Sequence, residues 1–434
     1  MGALKGYKPS DVGLIPDDWE VKPVGQMGAV RAGKALAASA PGTQRPYLRT
    51  KNVFDGRIDL DDVLFMPMSE AEFSRNSLRY GDVLLNEGQS IDLVGRCAMY
   101  RNEYPEPCAM QNQLVRFRAA EGTSAGYAEQ VFRHCQKTGV FSRIALQTTS
   151  VAHLGVSRFE KLQLAWPRSV LEQEAIAEAL SDADSLIESL GQLLVKKRQI
   201  KQGAMQGLLS GRRRLPGFSE VWQEKALGEL FSVSGGLSAS REQLSTTGHC
   251  YLHYGDIHTT ARTWIDLEAE HLDIPRLDVP LGKVSSTALL DDGDVVFVDA
   301  SEDEDGASRH VVVVNPSAKP FISGLHTIVA KASGEVLDKV YRRYCFQAQE
   351  VRQQFRFYAV GTKVSGVSKS NIVKIVLSVP PLPEQSAIAD ILSDMDADLA
   401  AVETKLTKVK QIKQGMTQQL LTGRIRLPVD VTGV

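Results

Sequence analysis

Residues 172–216 read EQEAIAEALSDADSLIESLGQLLVKKRQIKQGAMQGLLSGRRRLP, and residues 384–428 read EQSAIADILSDMDADLAAVETKLTKVKQIKQGMTQQLLTGRIRLP. The two stretches align without a gap, and 24 of the 45 positions are identical. Gln199-Ile200-Lys201-Gln202-Gly203 returns as Gln411-Ile412-Lys413-Gln414-Gly415. Shared helical character alone does not reproduce such a string, so the chain carries an internal repeat. Residues 171–210 hold no proline and end at Gly211, while 383–422 open on Pro383 and end at Gly423. Proline in a first turn and glycine just past the end bracket a helix in each case. At 1.5 Å per residue, ~40 residues make a rod of ~60 Å.

The second stretch places apolar residues at Ile388, Leu392, Met395, Leu399, Val402, Leu406 and Val409. The steps alternate four and three, the seam of a coiled coil. The first repeats it with Ile176, Leu180, Ala183, Ile187, Leu190 and Leu194. Ile412, Met416 and Leu420 resume after a phase shift, which reads as a discontinuity in the heptad. A lone helix of this kind leaves its stripe in water, and so long a rod exceeds what a small domain covers. The two rods are therefore expected to pair, the second returning antiparallel to the first. The competing reading buries each helix against its own domain. The basic runs Lys196-Lys197-Arg198 and Arg212-Arg213-Arg214 are either solvated helix ends favoured by the dipole or contacts to phosphates or a partner.

The duplication continues outward, more faintly. Trp19, Lys22, Gly25, Val30 and Gly33 match Trp222, Lys225, Gly228, Val233 and Gly236 in order. Tyr47-Leu48 matches Tyr251-Leu252, Gly81-Asp82-Val83 matches Gly293-Asp294-Val295, and Gly155-Val156-Ser157 matches Gly366-Val367-Ser368. This gives two tandem copies, each a globular unit followed by a helix: 1–168, a spacer helix 169–212, a second globular unit 213–381, a second spacer helix 382–426, and a tail 427–434. The fold class is α+β, two mixed α/β domains joined by an antiparallel coiled coil. Residues 82–85, 294–298 and 311–314 read as buried strands, and 127–137 and 337–357 have helical spacing. The helices stayed alike while the globular units diverged, as expected of a common spacer carrying two surfaces that read different things.

Composition narrows the classes. With 43% hydrophobic and 24% charged residues, the 434-residue chain is neither disordered nor collagen-like. No run of ~18 apolar residues predicts a membrane span, and the start MGALKGYKPSDVG resembles neither a secretory signal nor a myristoylation site. Cys97, Cys108, Cys135, Cys250 and Cys345 are odd in number and scattered, against a disulfide framework or zinc ribbon. The expected location is the cytoplasm. The net charge of −2 means that DNA binding would have to come from local basic surfaces.

Arginine suits guanine, and asparagine or glutamine suits adenine, so polar and basic residues near turns are the candidate DNA contacts. In the first unit they are Arg49, Lys51, Asn52, Asn86, Gln89, Ser90, Asn112 and Arg143, with the run Gln147-Thr148-Thr149-Ser150. In the second they are His253, Tyr254, His258, Arg309, His310, His326, Arg356, Lys363 and Ser365. Each taken singly also fits an ordinary surface or turn residue. The acidic run Glu302-Asp303-Glu304-Asp305 is unsuited to phosphates.

Catalytic motifs fail. Gly28 to Ala35 imitates a phosphate loop but lacks the hydroxyl for magnesium. Pro16-Asp17 with Glu20-Val21-Lys22 is too compact for a metal nuclease, and His249-Cys250 with His253 and His258 lacks a known ligand spacing. No Asn/Asp-Pro-Pro-Tyr/Phe, nucleophile elbow or dinucleotide fingerprint occurs.

These features together resemble the specificity subunits of type I restriction-modification systems. The matching segments are Ile15-Pro16-x-x-Trp19, Gly366-Val367-Ser368-Lys369, Val379-Pro380-Pro381-Leu382-Pro383-Glu384-Gln385 and the helix end Gln414-Gly415 to Thr422-Gly423. The resemblance covers nearly the whole chain except the middles of the globular units. It implies two target recognition domains on double-stranded DNA, each reading half of a split asymmetric site. It implies helices that set the spacer and dock two methyltransferase subunits, through which restriction-translocation subunits join. The chain itself would hold no catalytic residue or cofactor; S-adenosylmethionine, ATP and magnesium would belong to the partners. A non-catalytic coiled-coil adaptor, or a specificity subunit of another phage-defence complex, is the alternative. So is an unrecognised nuclease or methyltransferase acting alone.

Overall fold

The structure, a computed structural model, describes residues 6–35, 39–147, 150–260, 262–301, 309–359 and 365–428. It divides into two compact units, residues 1–191 with 405–434 and residues 192–404. Each holds one globular domain and one portion of each long helix.

In the N-terminal unit the strands β1 (Gly28–Ala32), β2 (Val83–Asn86), β3 (Cys97–Met99) and β4 (Leu114–Ala119) form an antiparallel sheet in the order β1-β4-β2-β3. The segment that imitates a phosphate loop is thus largely a sheet strand. Val83 to Asn86 is buried throughout, and Gly81, at φ +88°, makes the turn into it. Helix α1 (Ala125–Lys137) starts where the Ser124 hydroxyl accepts from the Tyr127 amide. It lays Tyr127, Val131, Phe132 and Cys135 onto the sheet side. Phe132 meets Phe117 and Phe159 edge-on, with centroids 5.1 and 5.0 Å apart. Trp19–Pro23 pairs antiparallel with Gln163–Pro167, so the chain enters and leaves the domain together. Helix α2 (Val170–Leu209) follows.

In the C-terminal unit the strands β5 (Phe231–Gly235), β6 (Trp264–Asp266), β7 (Val295–Val298), β8 (His310–Val314) and β9 (Thr327–Ala332) give the order β5-β9-β7-β8-β6. Its first four strands repeat the N-terminal sheet, and β6 adds a parallel edge beside β8. Gln223–Ala226 pairs with Val376–Val379 as Trp19–Pro23 does with Gln163–Pro167. Helix α3 (Gln349–Tyr358) covers the core with Val351 and Phe355, and helix α4 (Leu382–Leu420) follows.

Each core takes in two helix ends. Ile176, Ala177 and Leu180 of α2 and Leu420 of α4 join the N-terminal core. Leu208 and Leu209 of α2 join Ile388, Ala389 and Leu392 of α4 in the C-terminal core. The competing readings therefore both hold locally: the helix ends bury against a domain, and they also meet each other. In the C-terminal unit Lys197 pairs with Asp398 at 2.7 Å, and Lys201 pairs with Asp396. Rising numbers on α2 meet falling numbers on α4, so the segments run antiparallel. In the N-terminal unit Lys413 pairs with Asp184, and Arg426 reaches Glu172 at 2.7 Å. The repeat maps Asp184 onto Asp396 and Lys413 onto Lys201, so one ion pair occurs twice with its partners exchanged.

The buried carboxylates Glu172 and Glu384 show the same exchange. Arg214 bonds Glu384 at 2.8 Å, and the Trp222 indole donates to that carboxylate at 2.9 Å. Trp19 donates to Glu172 at 3.4 Å. One cation of the run Arg212–Arg214 is thus a structural tie.

The expected heptad discontinuity is absent. Ile412 is 49% exposed, whereas the Lys413 side chain is 12% exposed. From Val402 the seam runs through Leu406, Val409, Lys413, Met416 and Leu420 in unbroken steps of four and three. A lysine fills a seam position because its stem is apolar and its ammonium finds a carboxylate.

Candidate nucleic-acid interface

Both domains build the same small tip at the end of the central strand. In the N-terminal unit the chain leaving β2 forms the strand Gly88–Gln89, which pairs with Ala152–His153, itself paired with Leu146–Gln147. The Leu154 amide donates to the Glu87 carbonyl at 2.9 Å. In the C-terminal unit the chain leaving β7 forms Ala300–Ser301, paired with Ser365–Gly366, and the Val367 amide donates to the Asp299 carbonyl at 2.8 Å. The candidates Gln89 and Gln147 thus share one sheet, and Ser365 lies on its counterpart. Ser90, Gln147 and Arg143 are exposed around the first tip, and Asn112 is half-buried. Arg143 donates to the Thr138 carbonyl at 3.2 Å. Thr148, Thr149, Lys363 and the acidic run 302–305 lie outside the described residues.

The second tip gathers five candidates. The Tyr254 ring lies 4.5 Å from His253, 6.2 Å from His258 and 5.3 Å from His326. Arg309 donates to the His258 carbonyl, and His326 Nδ1 lies 3.2 Å from Asp299. His326 sits at φ +57°, a left-handed conformation unusual for a side chain of this size. His253 is nearly enclosed, and its Nδ1 accepts from the Gly255 amide at 3.0 Å. Burial, with the Arg241 charge, lowers its pKa, so the neutral ring is favoured.

Three candidates prove to be interior. The Asn52 side chain is 1% exposed; its oxygen accepts from the Arg49 amide, and its nitrogen donates to the Asp59 and Asp62 carbonyls at 2.9 and 3.2 Å. Asn86 is buried and donates to the Val53 carbonyl. His310 lies between the Phe297 and Phe346 rings, 5.6 and 5.0 Å away. All three are packed within their domains. Arg49 is tied to Asp62, and Lys51 stays exposed.

Arg356 is placed elsewhere. With Arg198, Arg262, Arg343 and Arg352 it lines a groove of about 920 Å³ in the C-terminal unit. Arg343 and Arg262 lie 5.0 and 5.7 Å from the centre of the Trp264 ring. The sequence reading missed this gathering because its members come from three regions far apart in the chain, at 198, 262 and 343–356. It also missed Arg96, which shares a cavity of about 370 Å³ with the candidates Lys51 and Gln89.

Among the described residues no cluster of histidine, cysteine and carboxylate side chains suits a metal ion, and no helix is long and apolar enough to cross a membrane.

Known proteins share this architecture. Residues 284–411 match the type I restriction modification DNA specificity domain. A putative type I restriction enzyme specificity subunit, MjaX, of Methanocaldococcus jannaschii is 22% identical over 98% of this chain and 97% of its own. The S subunit of a type I system from M. genitalium superposes with a TM-score of 0.57 at 13% identity, covering 97% of this chain and 98% of that one. A chain from a study of type I restriction-modification complex assembly and conformational transition gives 0.53 at 14% identity, over 95% and 99%. By its matched domain and along its whole length, this chain is similar to the specificity subunits of type I restriction-modification systems.

Proposed function

We propose that the chain is the sequence-reading, non-catalytic subunit of a type I restriction-modification complex and binds a bipartite, asymmetric DNA site. Each unit presses one tip into a major groove, and the paired helices set the unread spacer between the two half-sites. The helices also dock two methyltransferase subunits, which in turn carry restriction-translocation subunits. S-adenosylmethionine, ATP and magnesium act in those partners, and the chain supplies position rather than chemistry.

One observation carries this reading. The same backbone tip occurs in both units, at the end of equivalent strands, with unlike side chains: Gln89 and Gln147 in one, the histidines around Tyr254 in the other. A common frame bearing different donors and acceptors is what two different half-sites require. The test exchanges residues 215–380 for the corresponding domain of a relative and maps methylated sites in cells that carry the partner subunits. The expected change is confined to one half-site. Changes in both would end the modular reading, and a chain that shifts no DNA with its partners present would be an adaptor instead.

A further inference from the structure

The two tips can be overlaid through their hydrogen bonds, and this points to a residue outside the candidate set. On β3, Cys97 pairs with Leu85, and on β8, His310 pairs with Phe297. Leu85 and Phe297 are equivalent by the repeat. One residue earlier, the Asn86 amide donates to the Arg96 carbonyl at 2.9 Å, and the Val298 amide donates to the Arg309 carbonyl at 3.0 Å. Arg96 and Arg309 therefore hold one position, the last residue of the tip before the chain re-enters the sheet. Both copies place an arginine there.

Among the described residues Arg96, like Arg116, lacks the carboxylate partner that holds other arginines of its unit. Arg133, Arg118 and Arg101 are held by Asp55, Asp82 and Glu129. Arg96 makes no ion pair among the described residues, and its half-buried side chain leaves Nε without an acceptor. The guanidinium lies 4.7 Å from the centre of the Phe54 ring, which it shares with Arg57 at 5.0 Å, and this contact limits its freedom. It faces the 370 Å³ cavity beside Lys51 and Gln89. A planar donor that is oriented, partly desolvated and unpaired is prepared for a flat acceptor pair.

The cavity wall decides which acceptor. Asp59, Asp61 and Asp62 line the same cavity; Arg57 and Arg49 pair with Asp59 and Asp62, and Asp61 is left to repel a phosphate backbone. Guanine offers two neutral acceptors, N7 and O6, and its partner cytosine offers an amino donor that a carboxylate accepts. We infer that Arg96 reads a guanine edge in the half-site bound by the N-terminal unit. This rests on the DNA-reading function proposed above and names one contact within it.

The experiment maps methylation in cells carrying the partner subunits, with wild type, Arg96→Gln and Arg96→Lys. In the glutamine variant one guanine position of one half-site is expected to lose discrimination by roughly 10- to 100-fold, with the other half-site unchanged. The unchanged half-site reports that the protein is folded. Arg96→Lys keeps the charge and the cover over Phe54 but lacks the fork, and is expected to relax the same position if the glutamine variant does not accumulate. An unaltered map overturns the assignment. So does uniform weakening for all sequences with a salt dependence smaller by about one ion, which marks a phosphate contact. If the wild type yields no bipartite motif, the DNA-reading function itself falls, a result separate from either of these.

Discussion

Arg133 shows how one side chain joins a domain to its helix. It lies 2.6 Å from Asp55 in a loop and 2.6 Å from Asp184 on α2. Burial pushes the Asp55 carboxyl up, but the Arg133 guanidinium and the Lys137 ammonium prevail and hold it at about 2, below its ordinary 3.8. A depressed carboxylate contributes stability above its unfolded pKa and loses it as pH falls towards the folded one. Asp55→Asn is therefore expected to melt below wild type at pH 5 and above, with the gap closing between about pH 4 and pH 2. Thermal melts across that range check it; a gap that widens with acid would contradict the pairing. Asn52 gives a second expectation. Removing its amide leaves buried backbone groups unsatisfied, so Asn52→Ala should destabilise the N-terminal unit by about 2 kcal/mol without altering the methylated sequence. A changed sequence at full stability would return Asn52 to the interface. The sequence showed that Asn52, Asn86 and His310 can bond to a base, but not that tertiary packing had already engaged or enclosed them.

At the scale of the helix, the steps of four and three were legible because apolar burial writes them directly. Lys413 was not, because its role depends on a carboxylate about 230 residues earlier in the chain. Burial lowers the Lys413 pKa, and the nearby Arg133 charge adds to that; Asp184 opposes both. Asp184→Asn would leave the two cations without their shared anion, at a cost of about 2 kcal/mol after allowance for partial exposure. Lys413→Met should cost less than about 1 kcal/mol, since Asp184 keeps Arg133 and the thioether fills the seam. Ile412→Lys, on the exposed face, should lie within about 0.5 kcal/mol of wild type. Denaturant melts of the three variants test the order. A large loss from Ile412→Lys would restore the phase shift.

For the molecule as a whole, the helices betrayed the duplication in part because the same ties recur in both with partners exchanged: Asp184 with Lys413 and Asp396 with Lys201, Glu172 with Arg426 and Glu384 with Arg214. The sheets hid it, since a buried strand asks only for apolar β-branched or aromatic residues, and only turn residues such as Gly81-Asp82 and Gly293-Asp294 kept the register visible. The tips stayed illegible for the opposite reason: their side chains differ between copies, and backbone bonds such as those of Arg96 and Arg309 align them. The proposed ruler has its own test. Seven residues inserted after Gly191 and seven after Thr404 lengthen both helices at the division between the compact units. Seven residues keep the seam in phase, whereas four would turn it by about 40°. The added rise is about 10 Å, or about three base pairs. Methylation mapping should then find a spacer longer by about three base pairs between two unaltered half-sites. A spacer of the original length would show that the partner subunits, not these helices, set the distance.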